Sequence, residues 1–106
     1  MTNNSNITHI YSTNGVYLGF VENNNLYSRD SLALGWVENG HVWKVDGTYA
    51  GEITHIDNHD YILRNSFTIS PISKGARKID DASQQPEPQR NIAKISAPLG
   101  FRDGIQ

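Results

Sequence analysis

Three residues on one short segment, His55, Asp57 and His59, are of the types that ligate divalent metals. Spaced at i, i+2 and i+4, they would share one face of a continuous strand, where two neutral imidazoles and a carboxylate could meet one ion. Asp57-Asn58 is itself a turn signal, and a turn between the histidines breaks that face. The segment THIDNHDY therefore reads as a hairpin with a polar tip, and His55, Asp57 and His59 are the candidate metal ligands of a chain in which no cofactor is expected. Glu22 and Glu38 are the second set. Paired carboxylates perform glycoside hydrolysis, but these two occupy matching turn positions of a repeat and are expected in solvent. The chain has no Cys, hence no thiolate nucleophile, disulfide or Cys-based zinc site. It has no G-x-S-x-G elbow, P-loop or H-E-x-x-H pair. No catalytic residue is expected, and a metal-dependent hydrolase is the least favoured class.

The elements that would position any of these residues come from a repeat. IYSTNGVYLGFVENN starts at Ile10, LYSRDSLALGWVENG at Leu26 and VWKVDGTYAGEITHI at Val42, an interval of 16 residues. A degraded fourth copy, YILRNSFTISPISKG, starts at Tyr61, 19 residues further on. Tyr11, Tyr27, Trp43 and Ile62 form one column. Gly19, Gly35, Gly51 and Ser70 form a small-residue column, and Phe20, Trp36, Glu52 and Pro71 the next. Each copy reads as two short strands about a tight turn. Asn14-Gly15 and Asp46-Gly47 are dipeptides that accept positive φ at both central positions of a type I′ turn, with Asp30-Ser31 and Asn65-Ser66 as weaker versions. Asn39-Gly40 marks a second class of turn, between copies. The intervening runs alternate with period two and are β-branched and aromatic.

A lone hairpin is marginal in water, so four of them are expected to close on each other. The small-residue column is expected where strands converge and a larger side chain would collide, with independent β-bulges as the other reading. The aromatic columns are expected in the core. Tandem hairpins with the Asn/Asp-Gly turn, the small residue after an apolar pair and the Glu-Asn-Gly turn resemble the bacterial family described as the four-fold β-flower, over about residues 9–73. The resemblance implies an all-β fold of four tandem β-hairpin repeats around a pseudo-fourfold axis, followed by a mostly irregular C-terminal tail. It supplies no activity and no catalytic residues. The chain departs from the pattern at Ser70-Pro71 and at Glu52.

With 106 residues and a net charge of −2, the chain fits one domain with a tail, and its bulk charge does not suit nucleic acid. No apolar run is long enough to span a bilayer as a helix, so no membrane partner is expected. The opening MTNNSNITHI lacks a signal-peptide pattern, so a cytoplasmic location is expected, with export by a non-classical route as the alternative. Residues 1–8 are expected to be a flexible N-terminus, 9–73 the repeat domain, and 74–106 a polar Pro/Gln linker ending in a short apolar docking tail. In that linker, Lys74, Arg77 and Lys78 form a basic cluster, offset by Asp80 and Asp81 and expected in solvent. The end segment, Ala97 to Gly104, echoes Val16 to Asn23 and is expected to dock as an extra strand on this chain or another. The function expected is a non-enzymatic protein-interaction or structural module, with an unknown protein partner or self-association through the tail. A small-ligand or carbohydrate-binding domain using exposed Tyr17, Tyr49 or Trp43 is the alternative.

Overall fold

A computed structural model describes residues 7–67, 71–83, 85–87 and 89–105. Ser70, the fourth member of the small-residue column, and residues 1–6 lie outside the described residues. The described chain is all-β and carries no helix; none is therefore long and apolar enough to cross a membrane.

The strands are β1 (Thr8–Tyr11), β2 (Tyr17–Glu22), β3 (Asn25–Ser28), β4 (Ala33–Glu38), β5 (His41–Lys44), β6 (Tyr49–Ile56), β7 (His59–Asn65) and β8 (Phe101–Asp103). Neighbours in sequence pair antiparallel throughout, and β1 also pairs parallel with β7 through Ile10 and Tyr11 against Asp60 and Tyr61. That last pairing closes β1 to β7 into a seven-stranded barrel, with β8 as an additional strand. Closure removes the exposed sheet edges that a row of short hairpins would otherwise present.

Two kinds of turn alternate round the barrel. Asn23-Asn24, Asn39-Gly40 and Asp57-Asn58 have positive φ at both residues, so the type I′ turns lie between repeats. At the Asn14-Gly15 and Asp46-Gly47 turns only the glycine has positive φ, and Ser31 matches them in the middle copy. In the first of these, Gly15 N–H donates to Ser12 O and Ser12 N–H to Val16 O, a type I turn followed by a left-handed residue. The expectation of type I′ geometry there is corrected: the extra residue lets Asn14 and Asp46 keep ordinary φ and shifts the strand register. The shift falls at the same place three times. Ile10 faces Gly19, Leu26 faces Gly35 and Val42 faces Gly51, and each ladder slips by one at the next pair.

These glycines are the small-residue column, and the structure identifies what a side chain would strike. A Cβ on Gly19 would overlap the Tyr27 carbonyl oxygen, and one on Gly35 the Trp43 carbonyl oxygen. On Gly51 it would lie 2.7 Å from the Leu63 carbonyl oxygen. The constraint is close approach of the following strand's backbone, beside a bulge in each hairpin. Inside the barrel, Ile10, Leu26, Val42 and Ile62 pack with Val21, Val37 and Ala50. Each of the four Leu, Ile or Val side chains is at most 2% exposed, a burial worth about 2 kcal/mol apiece.

Ile62 thus sits with Ile10, Leu26 and Val42, one place away from the column assigned to it by sequence spacing. The fourth copy also departs from a local hairpin. Its first strand is β7, but the strand that pairs beyond it is β8, from the tail: Leu63 faces Asp103, Arg64 faces Arg102 and Asn65 faces Phe101. Gly104 N–H then donates to Ile62 O at 2.8 Å. The short apolar end of segment 74–106, expected to dock as an extra strand, thus supplies β8 beside β7 of the same chain.

Candidate functional site

The turns after β1, β3 and β5 leave backbone carbonyls on one rim of the barrel, and buried or rim-facing carbonyls need donors. Residues 71–100, the strap, provide them in reverse repeat order. Lys74 N–H donates to Gly47 O at 2.8 Å, Ala82 N–H to Ser31 O at 2.9 Å and Ile92 N–H to Gly15 O at 2.8 Å. Three residues on, Arg77 N–H donates to Val45 O and Ile95 N–H to Thr13 O, both at 2.8 Å. At the middle turn the Gln85 side-chain amide donates to Arg29 O instead. Gly47, Ser31 and Gly15 occupy one repeat position, and Val45, Arg29 and Thr13 another. Carboxyl and amide oxygens on the strap add a third contact: Asn91 Oδ1 accepts from Tyr17 N–H at 3.0 Å and Asp81 Oδ1 from Ala33 N–H at 2.9 Å.

Gly15 and Gly47 serve this docking as well as their turns. Both have φ near +90°, and a Cβ on either would run into the strap's backbone, at the Ile92 and Lys74 carbonyls. Past the first turn the strap enters β8. There Asp103 clamps the β1–β2 turn, accepting from Thr13 N–H at 3.0 Å and from the Thr13 hydroxyl at 2.7 Å. The apolar end of the chain therefore docks on its own barrel. Gly104, rather than Gly100 as the sequence echo aligned it, faces the core residue Ile62.

The best-developed side-chain site lies between the second and third repeats. Trp36 and Trp43 face each other across β4 and β5, stacked with centroids 6.4 Å apart. The strap lays Lys74 Nζ 4.4 Å from the centre of the Trp43 ring and the Arg77 guanidinium 4.2 Å from that of Trp36. Both cations reach Glu38: Lys74 Nζ pairs with Oε1, and Arg77 Nη2 with Oε2 at 3.1 Å. Trp36 Nε1–H donates to Oε2 at 3.0 Å. The hydrogen bonds from Lys74 and then Trp36 hold the Glu38 carboxyl below its ordinary pKa. The basic cluster is exposed, as expected, yet Lys74 and Arg77 also dock the strap, and Trp43 donates its indole N–H to Ile72 O at 3.3 Å.

The candidate metal ligands are not brought together. His55 Nδ1 pairs with Asp60 at 3.0 Å, Asp57 lies in the turn, and His59 packs edge-on against Tyr11 at 5.3 Å. Among the described residues no three His, Asp or Glu side chains converge as a metal site would require. Two other histidines form a repeated motif that sequence reasoning passed over. His9 Nδ1 meets the Tyr17 hydroxyl at 3.0 Å, and His41 Nδ1 meets the Tyr49 hydroxyl at 2.8 Å, the partners standing 8 positions apart in each pair. Burial lowers the His9 pKa, and burial, then the neighbouring Tyr11, raises that of Tyr17 to about 12. The exposed platforms expected at Tyr17, Tyr49 and Trp43 are a correction. Tyr17 and Trp43 are buried and Tyr49 half-buried, because the strap and the flanking histidines cover the rings. Glu22 and Glu38 sit at the ends of different hairpins, not as a facing carboxylate pair.

The residues missed in the sequence are those of the strap, Lys74, Arg77, Asp81 and Asn91, and of the end segment after it, Asp103 and Gly104. A signal was present in Ser73-Lys74-Gly75-Ala76-Arg77, Asp81-Ala82-Ser83-Gln84-Gln85 and Asn91-Ile92-Ala93-Lys94-Ile95, each opening on a short polar residue. Their shared register becomes visible only against the three turns they touch. The model of the 4-fold beta flower protein family matches residues 5–101, and the chain belongs to that family. No curated protein and no solved structure matches the chain significantly.

Proposed function

We propose that this member of the 4-fold beta flower family is a non-enzymatic interaction module whose turn-bearing rim binds extended peptide. The observation that carries this reading is the strap itself. One rim position accepts a backbone N–H from an extended segment three times over, with side-chain pockets beside it adding selectivity, as in strand-addition recognition. His9 meets Tyr17, His41 meets Tyr49 and His55 meets Asp60 as pairs, and Glu38 meets Lys74 and Arg77 where the strap docks, contacts that hold the fold. The strand pairs β1–β2, β3–β4, β5–β6 and β7–β8 are taken as four petals about a pseudo-fourfold axis. The recurring partners Ile10 with Gly19, Leu26 with Gly35, Val42 with Gly51 and Ile62 with Gly104 support that arrangement.

The test uses the two tryptophans as reporters. A full-length Lys74→Ser/Arg77→Ser variant has a weakened strap at Trp36 and Trp43. A peptide of residues 71–97 added in trans is expected to shift its indole emission saturably, while the parent, whose rim is filled, responds at higher peptide concentration or not at all. No saturable change with the variant, under conditions where it stays folded, overturns the reading.

A further inference from the structure

The rim between the first and second repeats duplicates the tryptophan–glutamate site without its occupant. Glu22 ends β2 opposite Asn25, as Glu38 ends β4 opposite His41. Phe20 and Tyr27 face each other across β2 and β3 with ring centroids 5.2 Å apart, in the positions of Trp36 and Trp43. The strap crosses both sites in the same register. Where Lys74 donates its backbone N–H to Gly47 O, Ala82 donates to Ser31 O, and where Arg77 contacts Val45 O, Gln85 contacts Arg29 O. The earlier site therefore receives a methyl group and an amide already committed to the turn, in place of two long cations. What remains is a cleft of ≈ 460 Å³, with Glu22, Asn23, Asn25 and Tyr27 on the barrel side.

The strap wall of the cleft carries Asp80 and Asp81 with Arg77 and Lys78. Three carboxylates, Glu22, Asp80 and Asp81, thus line the cleft against two cations, of which Arg77 is turned to Glu38, so its charge balance is acidic. Among the described residues, no ion pair reaches Glu22 or Asp80. We propose that this cleft is a recognition pocket for a Lys or Arg side chain of a basic, extended partner peptide, with the cation against Glu22 and its aliphatic stem beside Tyr27. The occupant is inferred from the filled copy of the site in the same molecule: the same strand positions, with a glutamate at the same end, hold Lys74 and Arg77. The inference rests on the peptide-binding reading above and names the chemistry that reading leaves open.

The probe is the octapeptide Ile-Ser-Lys-Gly-Ala-Arg-Lys-Ile, residues 72–79 of this chain, titrated into the full-length protein and followed by amide chemical shifts. Saturable shifts at Glu22, Asn25 and Tyr27 are expected. Glu22→Gln is expected to weaken binding about fivefold, the upper range for one partly exposed ion pair. High salt should weaken it too. Ala82→Lys, which restores the missing cation on the strap, is expected to raise Tm and abolish peptide binding at this cleft. Shifts confined to Trp36 and Trp43 would overturn the cleft while leaving the rim as a peptide site. Binding unchanged by both substitutions, or no binding with Ala82→Lys neutral in Tm, overturns it as well. If Glu22→Gln lowers the Tm of the unliganded chain as far as Glu38→Gln does, Lys78 already fills the pocket and the proposal falls.

Discussion

From β1 to β7 the chain is held by what it buries, whereas from residue 71 to 100 it is held by what its backbone donates. In the barrel, Ile10, Leu26, Val42 and Ile62 are sealed from water, and closure between β1 and β7 leaves the ladder with partners on both sides. In the strap, Ile72 is 88% exposed and Leu99 89% exposed, yet the described residues between them meet the rim at three successive turns. Its register comes from N–H groups placed on turn carbonyls that the barrel cannot satisfy internally. Apart from Ile92 and Ile95, which pack on Tyr11, Tyr17, Tyr61 and Leu63, the strap needs little apolar surface because the scaffold offers a periodic row of acceptors. Net gains of about 1 kcal/mol per hydrogen bond, repeated at three turns, can hold it there.

The contrast predicts separable failures. Gly35 belongs to the barrel, and any side chain there meets the Trp43 carbonyl. Gly35→Ala is expected to cost about 3 kcal/mol in urea unfolding, and Gly35→Leu to prevent compact folding. A Gly35→Leu variant that melts like the parent would break the account of the barrel. Gly47 and Gly40 form a sharper pair, since both have positive φ, but a Cβ on Gly40 meets nothing within 4 Å while one on Gly47 strikes the strap backbone at Lys74. Gly40→Ala is expected to cost about 1 kcal/mol from backbone strain alone. Gly47→Ala should cost about 2 kcal/mol and also speed tryptic cleavage after Lys74 and Arg77 with the barrel intact. Equal cleavage rates in the two variants would remove the glycine's second role.

The smallest effect is electrostatic. Glu38 is held below its ordinary pKa of 4.5 by Lys74 and Trp36, so its contribution is complete above that value. It is lost as pH falls through the lowered folded value. Acidification below about pH 4.5 should therefore free the strap at Trp36 and Trp43 before the barrel unfolds, seen as an indole emission change that precedes loss of the β-sheet signal. Coincident transitions would show that strap and barrel are one cooperative unit.

Much of the barrel is legible in one dimension because its rules are local. Period-two alternation from Leu32 to Val37 and the turn at Asn39-Gly40 act over a few residues, and the 16-residue interval exposes the glycines at 19, 35 and 51. Errors begin where a choice depends on a distant segment. Asn14-Gly15 has the composition of a type I′ turn, but the register slip beside Gly19 selects the longer form. Copy four shows the same limit, for Ile62 takes its place from the core it shares and its strand partner comes from 101–103. The candidate metal ligands were separated by a turn that the sequence itself announced at Asp57-Asn58. The strap was harder to read because its composition is that of a solvated linker and its register is set largely by turn carbonyls, which carry no residue type to recognise.

The amino-acid order by itself determined an all-β chain, its repeat interval, its glycine column and the absence of a helical stripe, since each follows from backbone preference and side-chain alternation within one copy. Tertiary structure alone decided that β1 meets β7, that β8 completes the sheet, and that Lys74 and Arg77 settle over the tryptophans at Glu38. Those outcomes depend on which backbone donors and acceptors remain unpaired once the barrel has closed, and that inventory does not exist until it has.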